Sequence, residues 1–192
     1  AAINGFSMFS RGRCFALNDD MKLDVERVKQ FIEAQGGRRI FIFGFTFLVW
    51  SEFAEVLRSL GQEIDLSNAF VLHGGGWKKL TSLNIKNEEF KDSIKSTLGI
   101  DTVINYYGMV EQTGSIYMEC EHGHLHTSNY SDVIIRDQIT FKPCAVGELG
   151  LVQVISLLPY SYPGHSLLSE DLGMLLGEDD CPCGRMGKYF HV

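Results

Sequence analysis

The sequence has no excess of positive charge and no long apolar run. Its 192 residues include 17 Lys and Arg against 24 Asp and Glu, so 17 − 24 gives a formal net charge of −7. This acidic balance argues against a nucleic-acid partner, because proteins that bind the phosphate backbone need a basic surface. No stretch approaches the roughly 18 consecutive apolar residues that a membrane-spanning helix requires. We therefore expect no nucleic-acid partner and no membrane span.

The sequence also lacks a secretory signal and an even number of cysteines. Residues 1–13 have no basic start followed by an apolar block. Five cysteines without a secretory signal argue against a disulfide framework and favour reduced thiols, metal ligands or both. Together these features predict a cytoplasmic protein. With 45% apolar and 21% charged residues, the composition is that of a globular protein and excludes a disordered chain.

Proline is absent from the first two thirds of the chain. All four prolines follow residue 142, and four of the five cysteines follow residue 119. A change in composition of this kind favours a subdomain boundary. The sequence therefore predicts two units, residues 1–114 and residues 115–192.

Apolar periodicity predicts alternating helices and strands in the first unit. Strands are expected at residues 40–43, 69–72 and 102–106, with helices at residues 25–35, 53–60 and 88–98. This β-α-β-α-β order is typical of parallel strands with crossover helices, and the run at 40–43 indicates a strand buried on both faces. The second unit has short apolar runs separated by Gly, Pro and Asn, which favours a small antiparallel sheet or barrel. The predicted fold class is α/β, a parallel βαβ subdomain followed by a β-rich, barrel-like subdomain.

Two glycine-bearing segments, residues 73–76 and 107–108, follow predicted strands directly. In parallel α/β sheets, ligands bind outside the carboxyl ends of the strands. Glycine allows the backbone to approach a ligand closely, and the rings of His73 and Trp77 flank the first segment, where they can cover a purine. The alternative is that the Gly-Gly-Gly run is only a flexible turn.

Two carboxylates are candidates for nucleotide chemistry. Glu111 lies four residues beyond Tyr107 and is either a surface carboxylate or a ligand of Mg²⁺, which one or two carboxylates and phosphate oxygens usually hold. Asp171 is either a turn former or an acceptor for both hydroxyls of a ribose.

The order of four segments resembles the adenylate-forming superfamily. The segments are Gly74-Gly75-Gly76, Tyr106-Tyr107-Gly108-Met109-Val110-Glu111, Gly147-Glu148-Leu149-Gly150 and Ser169-Glu170-Asp171. The closest resemblance is to acyl-protein synthetases of the bacterial bioluminescence fatty-acid reductase system, and residues 73–78 and 107–112 carry it. Phenylacetate–coenzyme A ligases are more distant and share the segment at residues 181–185.

The resemblance implies ATP-dependent activation of a fatty acid as an acyl-adenylate, followed by transfer to an enzyme cysteine, with an acyl reductase subunit as a possible partner. It implies ATP and Mg²⁺ as cofactors and the following roles: Gly74, Gly75 and Gly76 against adenine, Tyr107 and Gly108 near it, Glu111 as the catalytic magnesium ligand, and Asp171 on the ribose. The family's phosphate loop has no counterpart in residues 1–72. Its catalytic lysine and acyl-accepting cysteine belong beyond residue 192. We therefore expect part of an adenylate-forming enzyme's large N-terminal domain, inactive alone.

A second constellation combines cysteine and histidine. Zinc prefers this mixture of nitrogen and sulfur ligands in closed tetrahedral sites. The related ligases carry a structural zinc, and the resemblance implies Cys120, His126, Cys181 and Cys183 as ligands, with His124 as a substitute for His126. The alternative is a set of buried thiols with surface histidines.

Two further functions stay open. One is part of a phenylacetate or acyl-coenzyme A ligase, which differs from the first hypothesis in the acyl acceptor. The other is a zinc-stabilised binding module without catalysis. Only this last hypothesis predicts that nucleotide binding does not depend on Asp171.

Overall fold

A computed structural model describes residues 2–8, 10–61, 64–75 and 85–192. The chain divides into two compact units, residues 1–104 and residues 105–192. The structure thus places the division after residue 104, earlier than the predicted boundary after residue 114. Among the described residues, no helix combines the length and the apolar character that crossing a bilayer requires.

The first unit alternates helices with strands. Its helices are α1 (Ala2–Ser7), α2 (Val25–Gln35), α3 (Thr46–Leu48), a π-helix (Val49–Ala54), α4 (Glu55–Leu60) and α5 (Asn87–Leu98). Its strands are β1 (Ile40–Phe45), β2 (Ala69–Gly74) and the first half of β3 (Thr102–Tyr107). Strands β1 and β2 pair in parallel, with Ile40 opposite Ala69 and Phe45 opposite Gly74, and β3 lies beside β2. The parallel arrangement of β1 and β2 confirms the prediction.

Local signals explain where the longer helices begin and end. The Asp24 carboxylate accepts the backbone N–H of Arg27 at the start of α2, and Gly36 ends the helix with φ of 58°. Helix α5 places Phe90, Ile94 and Leu98 at four-residue spacing, and all three are buried in the core of the unit. This stripe is the apolar face that the sequence predicts.

Strand β1 differs from the prediction of burial on both faces. Ile40 is buried, Phe41 and Phe43 are half-buried, and Phe45 is 56% exposed. The rings of Phe41 and Phe43 contact Phe6 of α1, with centroids 5.6 and 4.8 Å away. One short helix covers this face of the strand only in part, which explains the incomplete burial.

The second unit is built from antiparallel strands, as predicted. They are the end of β3, β4 (Tyr117–Glu119), β5 (Leu125–His126), β6 (Ser131–Arg136), β7 (Leu149–Ser156), β8 (Ser166–Glu178) and β9 (Lys188–His191). Their order in the sheet is β3-β4-β5-β9-β8-β7-β6. Alternate residues of β6 and β7, among them Val133, Ile135, Val152 and Val154, point into a core with Tyr117 and Phe190.

Candidate functional site

The glycine segment lies at the carboxyl end of β2 in the first unit. Gly74 is the last residue of the strand, and Gly75 follows it with φ of 79°, a conformation that favours glycine. A Cβ at residue 75 would lie 3.0 Å from Cδ1 of Phe45, so a larger residue there would also require the exposed Phe45 ring to shift. Residues 76–84, including Gly76 and Trp77, lie outside the described part of the chain.

His73 is buried beneath this segment. Its side chain is 1% exposed, its Nδ1 lies 3.0 Å from Oγ1 of Thr46, and its ring centroid is 4.5 Å from that of Phe90. The sequence-based prediction was a ring that covers a purine. The structure differs because Phe90 and Thr46 already pack against the imidazole, which leaves no exposed ring face for a ligand.

The first unit should lose stability as the pH falls. Burial, together with the smaller effect of the positive charge of Lys91, lowers the pKa of His73 from 6.5 to about 3. Between these values the unfolded chain binds a proton that the folded chain does not, so the free energy of unfolding decreases from pH 6.5 towards pH 3. One such site contributes a slope of up to about 1.4 kcal/mol per pH unit.

The two tryptophans, Trp50 and Trp77, both belong to the first unit, so their fluorescence follows its unfolding. We expect His73→Gln to flatten the dependence of unfolding on pH in this range. Equal slopes for the variant and the parent chain would contradict the buried, neutral imidazole.

Tyr107 and Asp171 meet in the second unit. The hydroxyl of Tyr107, at the end of β3, donates to Oδ2 of Asp171 on β8 at 2.9 Å. The Asp171 N–H donates to Oγ of Ser169 at 3.2 Å, and that hydroxyl donates to the Val152 carbonyl at 2.8 Å. Burial raises the pKa of Tyr107 above its ordinary value, and the charge of Asp171 raises it further. Tyr107 therefore stays a neutral donor that holds the carboxylate in one direction.

Glu111 lies on an exposed 3-10 turn, Val110–Gln112, in the same unit. The next residue, Gln112, is 1% exposed and donates from Nε2 to the Gly164 carbonyl at 2.9 Å and to the Val154 carbonyl at 3.4 Å. The Thr113 N–H donates to the hydroxyl of Tyr162 at 3.1 Å. These anchors fix the turn and leave the Glu111 carboxylate exposed to solvent. At Gly108, between strand and turn, a Cβ would lie 3.3 Å from the Ser115 carbonyl oxygen.

Thr46, which contacts His73, was not singled out from the sequence. Gln112 and Ser169 lie within the motif segments, but neither was assigned a role from the sequence. The roles of all three depend on hydrogen bonds to residues far along the chain.

The second unit also gathers the predicted metal ligands. One ligand atom from each of Cys120, His126, Cys181 and Cys183 lies within 4.8 Å of the others. Cys120, His126 and Cys181 are each 5% exposed, and all five cysteines of the chain are free thiols. A zinc–sulfur bond of about 2.3 Å sets the distance between ligand atoms of a tetrahedron at about 3.8 Å, so a small contraction would close this cluster around a zinc ion.

Two tight turns present the thiols. The Gly123 N–H donates to the Cys120 carbonyl and the Gly184 N–H to the Cys181 carbonyl, each at 2.9 Å, and both glycines have φ of 77°. The Arg185 N–H approaches the Cys183 sulfur at 3.5 Å. These turns aim the sulfur atoms at one point, as a metal site requires.

Both neighbouring histidines contact the cluster. Nε2 of His126 lies 3.4 Å from Cys183 Sγ, and Nδ1 of His124 lies 3.3 Å from Cys181 Sγ. The two rings stack on Tyr189, with centroid distances of 5.7 and 5.0 Å. Nδ1 of His126 is buried and has no hydrogen-bond partner within the described residues. The geometry groups His126 with the three thiols and keeps His124 at the edge.

Similar solved structures share the fold. A 2-hydroxyisobutyryl-CoA ligase in an open conformation, in complex with 2-HIB-AMP and CoA, is similar with a TM-score of 0.66 and 19% identity, over 86% of this chain and 34% of that chain. The amide bond synthetase McbA from Marinactinospora thermotolerans has a TM-score of 0.55 and 17% identity, over 85% and 33%. The N-terminal subdomain of Klebsiella oxytoca NpsA has a TM-score of 0.52 and 16% identity, over 80% and 41%.

At such low identity these similarities establish the fold, and they confirm the predicted fold class. The chain spans about a third of the length of the first of these proteins, 34%. No curated protein sequence matches the chain. A model of the acyl-protein synthetase LuxE family matches residues 6–192. The chain therefore belongs to the acyl-protein synthetase LuxE family.

Proposed function

We propose that this chain is the nucleotide-binding part of an ATP-dependent acyl-protein synthetase. The observation that carries the proposal is the hydrogen bond from Tyr107 to Asp171. It orients the carboxylate and occupies one lone pair of one oxygen, so acceptor capacity for two ribose hydroxyls remains. Membership of the acyl-protein synthetase family supports a fatty acid as the substrate.

In this proposal a fatty-acid carboxylate attacks the α-phosphate of ATP, which forms an acyl-adenylate and releases pyrophosphate. A protein thiol then displaces AMP and forms a thioester. By resemblance, recognition of adenine is assigned to Gly74, Gly75, Gly76, Tyr107 and Gly108, and recognition of the ribose hydroxyls to Asp171. Glu111 suits a ligand of Mg²⁺, because its turn is anchored while its carboxylate is exposed. When bound there, Mg²⁺ would supply positive charge that stabilises the charge developing on the phosphates.

We also propose that Cys120, His126, Cys181 and Cys183 hold a structural zinc ion. Three thiols and one imidazole form the donor set that zinc prefers, and their burial suits a closed site without a position for water. The ion would join the turn after β4 to the connection between β8 and β9. The same free thiols support a reducing compartment and therefore a cytoplasmic location. A reductase partner stays a prediction from the resemblance.

The decisive experiment titrates the chain with a non-hydrolysable long-chain acyl-sulfamoyl adenosine in the presence of Mg²⁺ and follows the heat of binding. We expect saturable binding, with weaker binding of sulfamoyl adenosine that lacks the acyl group. A folded, zinc-loaded chain that binds neither compound would contradict the proposal and favour the non-catalytic binding module.

A further inference from the structure

Three neighbouring groups of the first unit form a buried hydrogen-bonded chain, and the proposed function gives no role to two of its members, Thr46 and His73. Thr46 follows β1 directly and is 3% exposed. Its Oγ1 lies 3.0 Å from Nδ1 of His73 and 3.2 Å from the carbonyl oxygen of Gly74. Both partners are at the end of β2, directly before the exposed Gly75.

Counting donors fixes the direction of these hydrogen bonds. A threonine hydroxyl has one proton, and the Gly74 carbonyl oxygen only accepts. Both contacts are hydrogen bonds only if the hydroxyl donates to Gly74 and accepts from Nδ1–H of His73. The other ring nitrogen, Nε2, is then a bare acceptor, and it is buried with no hydrogen-bond partner in the described part of the chain.

The hydrogen bond to Gly74 also determines where the next backbone N–H points. A trans peptide unit is planar, and its C=O and N–H point in opposite directions. Because Thr46 holds the Gly74 carbonyl in the buried interior, the N–H of Gly75 is directed away from Thr46. Gly75 as a whole residue is exposed, so a ligand can reach its backbone.

We propose that Thr46 and His73 are positioning residues that fix the Gly74–Gly75 peptide with its N–H presented to the bound nucleotide. This inference rests on the proposed function. His73 acts through Thr46, and neither side chain needs to touch the ligand. The buried histidine of the glycine segment thereby has a role other than covering the purine.

The first test does not involve a nucleotide. Two-dimensional ¹H–¹⁵N spectra of the imidazole give the tautomer of His73 directly. We expect the proton on Nδ1 in the parent chain, and a changed Gly75 amide shift with faster hydrogen exchange in Thr46→Val. A proton on Nε2 of the parent chain would overturn the inference. The Thr46 hydroxyl would then donate its one proton to Nδ1, and the Gly74 carbonyl would have no hydrogen bond from Thr46.

The second test measures binding of the acyl-sulfamoyl adenosine and of its guanosine analogue. Thr46→Val should weaken binding of the adenosine compound about tenfold, the effect of one lost hydrogen bond, and should reduce the preference for adenosine. Thr46→Ser keeps the hydroxyl and should restore both. Ser59→Ala, which removes an exposed hydroxyl from α4 of the same unit, is the matched control and should change neither.

Tryptophan fluorescence verifies that each variant is folded. If Thr46→Val does not fold, the affinity and base preference of Thr46→Ser still test the role of the hydroxyl. Unchanged affinity and base preference in folded Thr46→Val would overturn the positioning role. Absence of binding by the parent chain would instead contradict the proposed function, and the tautomer measurement would still decide whether the hydrogen-bonded chain exists.

Discussion

Replacing Cys181 with serine should remove one zinc ion per chain and destabilise the second unit by several kcal/mol. Structural zinc contributes about 10–16 kcal/mol of apparent binding free energy in small zinc-dependent domains at pH 7, which sets the upper scale. The unit of residues 105–192 also has an apolar core, which stabilises it without zinc. We therefore expect the decrease in its free energy of unfolding to be smaller than this limit. A loss of several kcal/mol corresponds to a fall in melting temperature of about 20 °C or more for a domain of this size.

Metal content by elemental analysis and thermal unfolding by circular dichroism measure the two effects. Cys144→Ser is the matched control, because Cys144 is a half-buried free thiol of the same unit outside the cluster. It should retain zinc and nearly all of the stability. A parent chain that contains no stoichiometric zinc after expression with zinc would contradict the metal site.

Asp171→Asn should weaken binding of the acyl-sulfamoyl adenosine by roughly 10- to 150-fold. Hydrogen bonds to a charged acceptor contribute about 1.5–3 kcal/mol, and this range converts to that change in affinity. Asparagine has nearly the same shape and still accepts from Tyr107, so the variant removes the charge with little change in packing. Calorimetric titration with Mg²⁺ present measures the loss.

Glu170→Gln is the natural control for this variant. Glu170 is the preceding residue of β8, and because side chains alternate along a strand it points to the opposite, exposed face. It should bind with parental affinity. A 2′,3′-dideoxy form of the ligand should bind the parent and Asp171→Asn equally well. A similar loss in both carboxylate variants would rule out a specific contact with the ribose.

The regular elements of the chain follow from its sequence, because local patterns determine them. Helix α5 has its apolar residues at four-residue spacing, and β7 alternates buried and half-buried residues. Strands β5 and β9 were not predicted. Leu125 pairs with Phe190 and His126 with Tyr189, so β5 and β9 pair with each other across a long stretch of chain, in addition to the pairing of β5 with β4 and of β9 with β8. Apolar periodicity within such short segments does not reveal these pairings.

The candidate site shows the same distinction. The order of the motifs predicts Tyr107, Glu111 and Asp171 as candidates, and the pair Cys181 and Cys183 with them, because each lies in a short segment of characteristic spacing. The burial of His73 was not predictable. A polar residue before three glycines has the pattern of a loop, and only its contacts with Thr46 and Phe90 place it in the interior. The residues that orient the site are thus less visible in the sequence than the residues they orient.

Strand β8 connects Asp171 along the chain to two of the predicted zinc ligands, which follow the strand. Asp171 lies near the middle of this strand, and Cys181 and Cys183 lie in the connection from β8 to β9. A slip of β8 by one residue against β9 would turn each of its side chains to the opposite face and take Asp171 away from Tyr107. The irregular pairing between Leu175 and Gly177 opposes such a slip. A zinc ion bound as we propose would hold the thiols beyond it and oppose the slip as well. The proposed zinc site would thereby help to keep the carboxylate that we propose for the ribose in register with Tyr107.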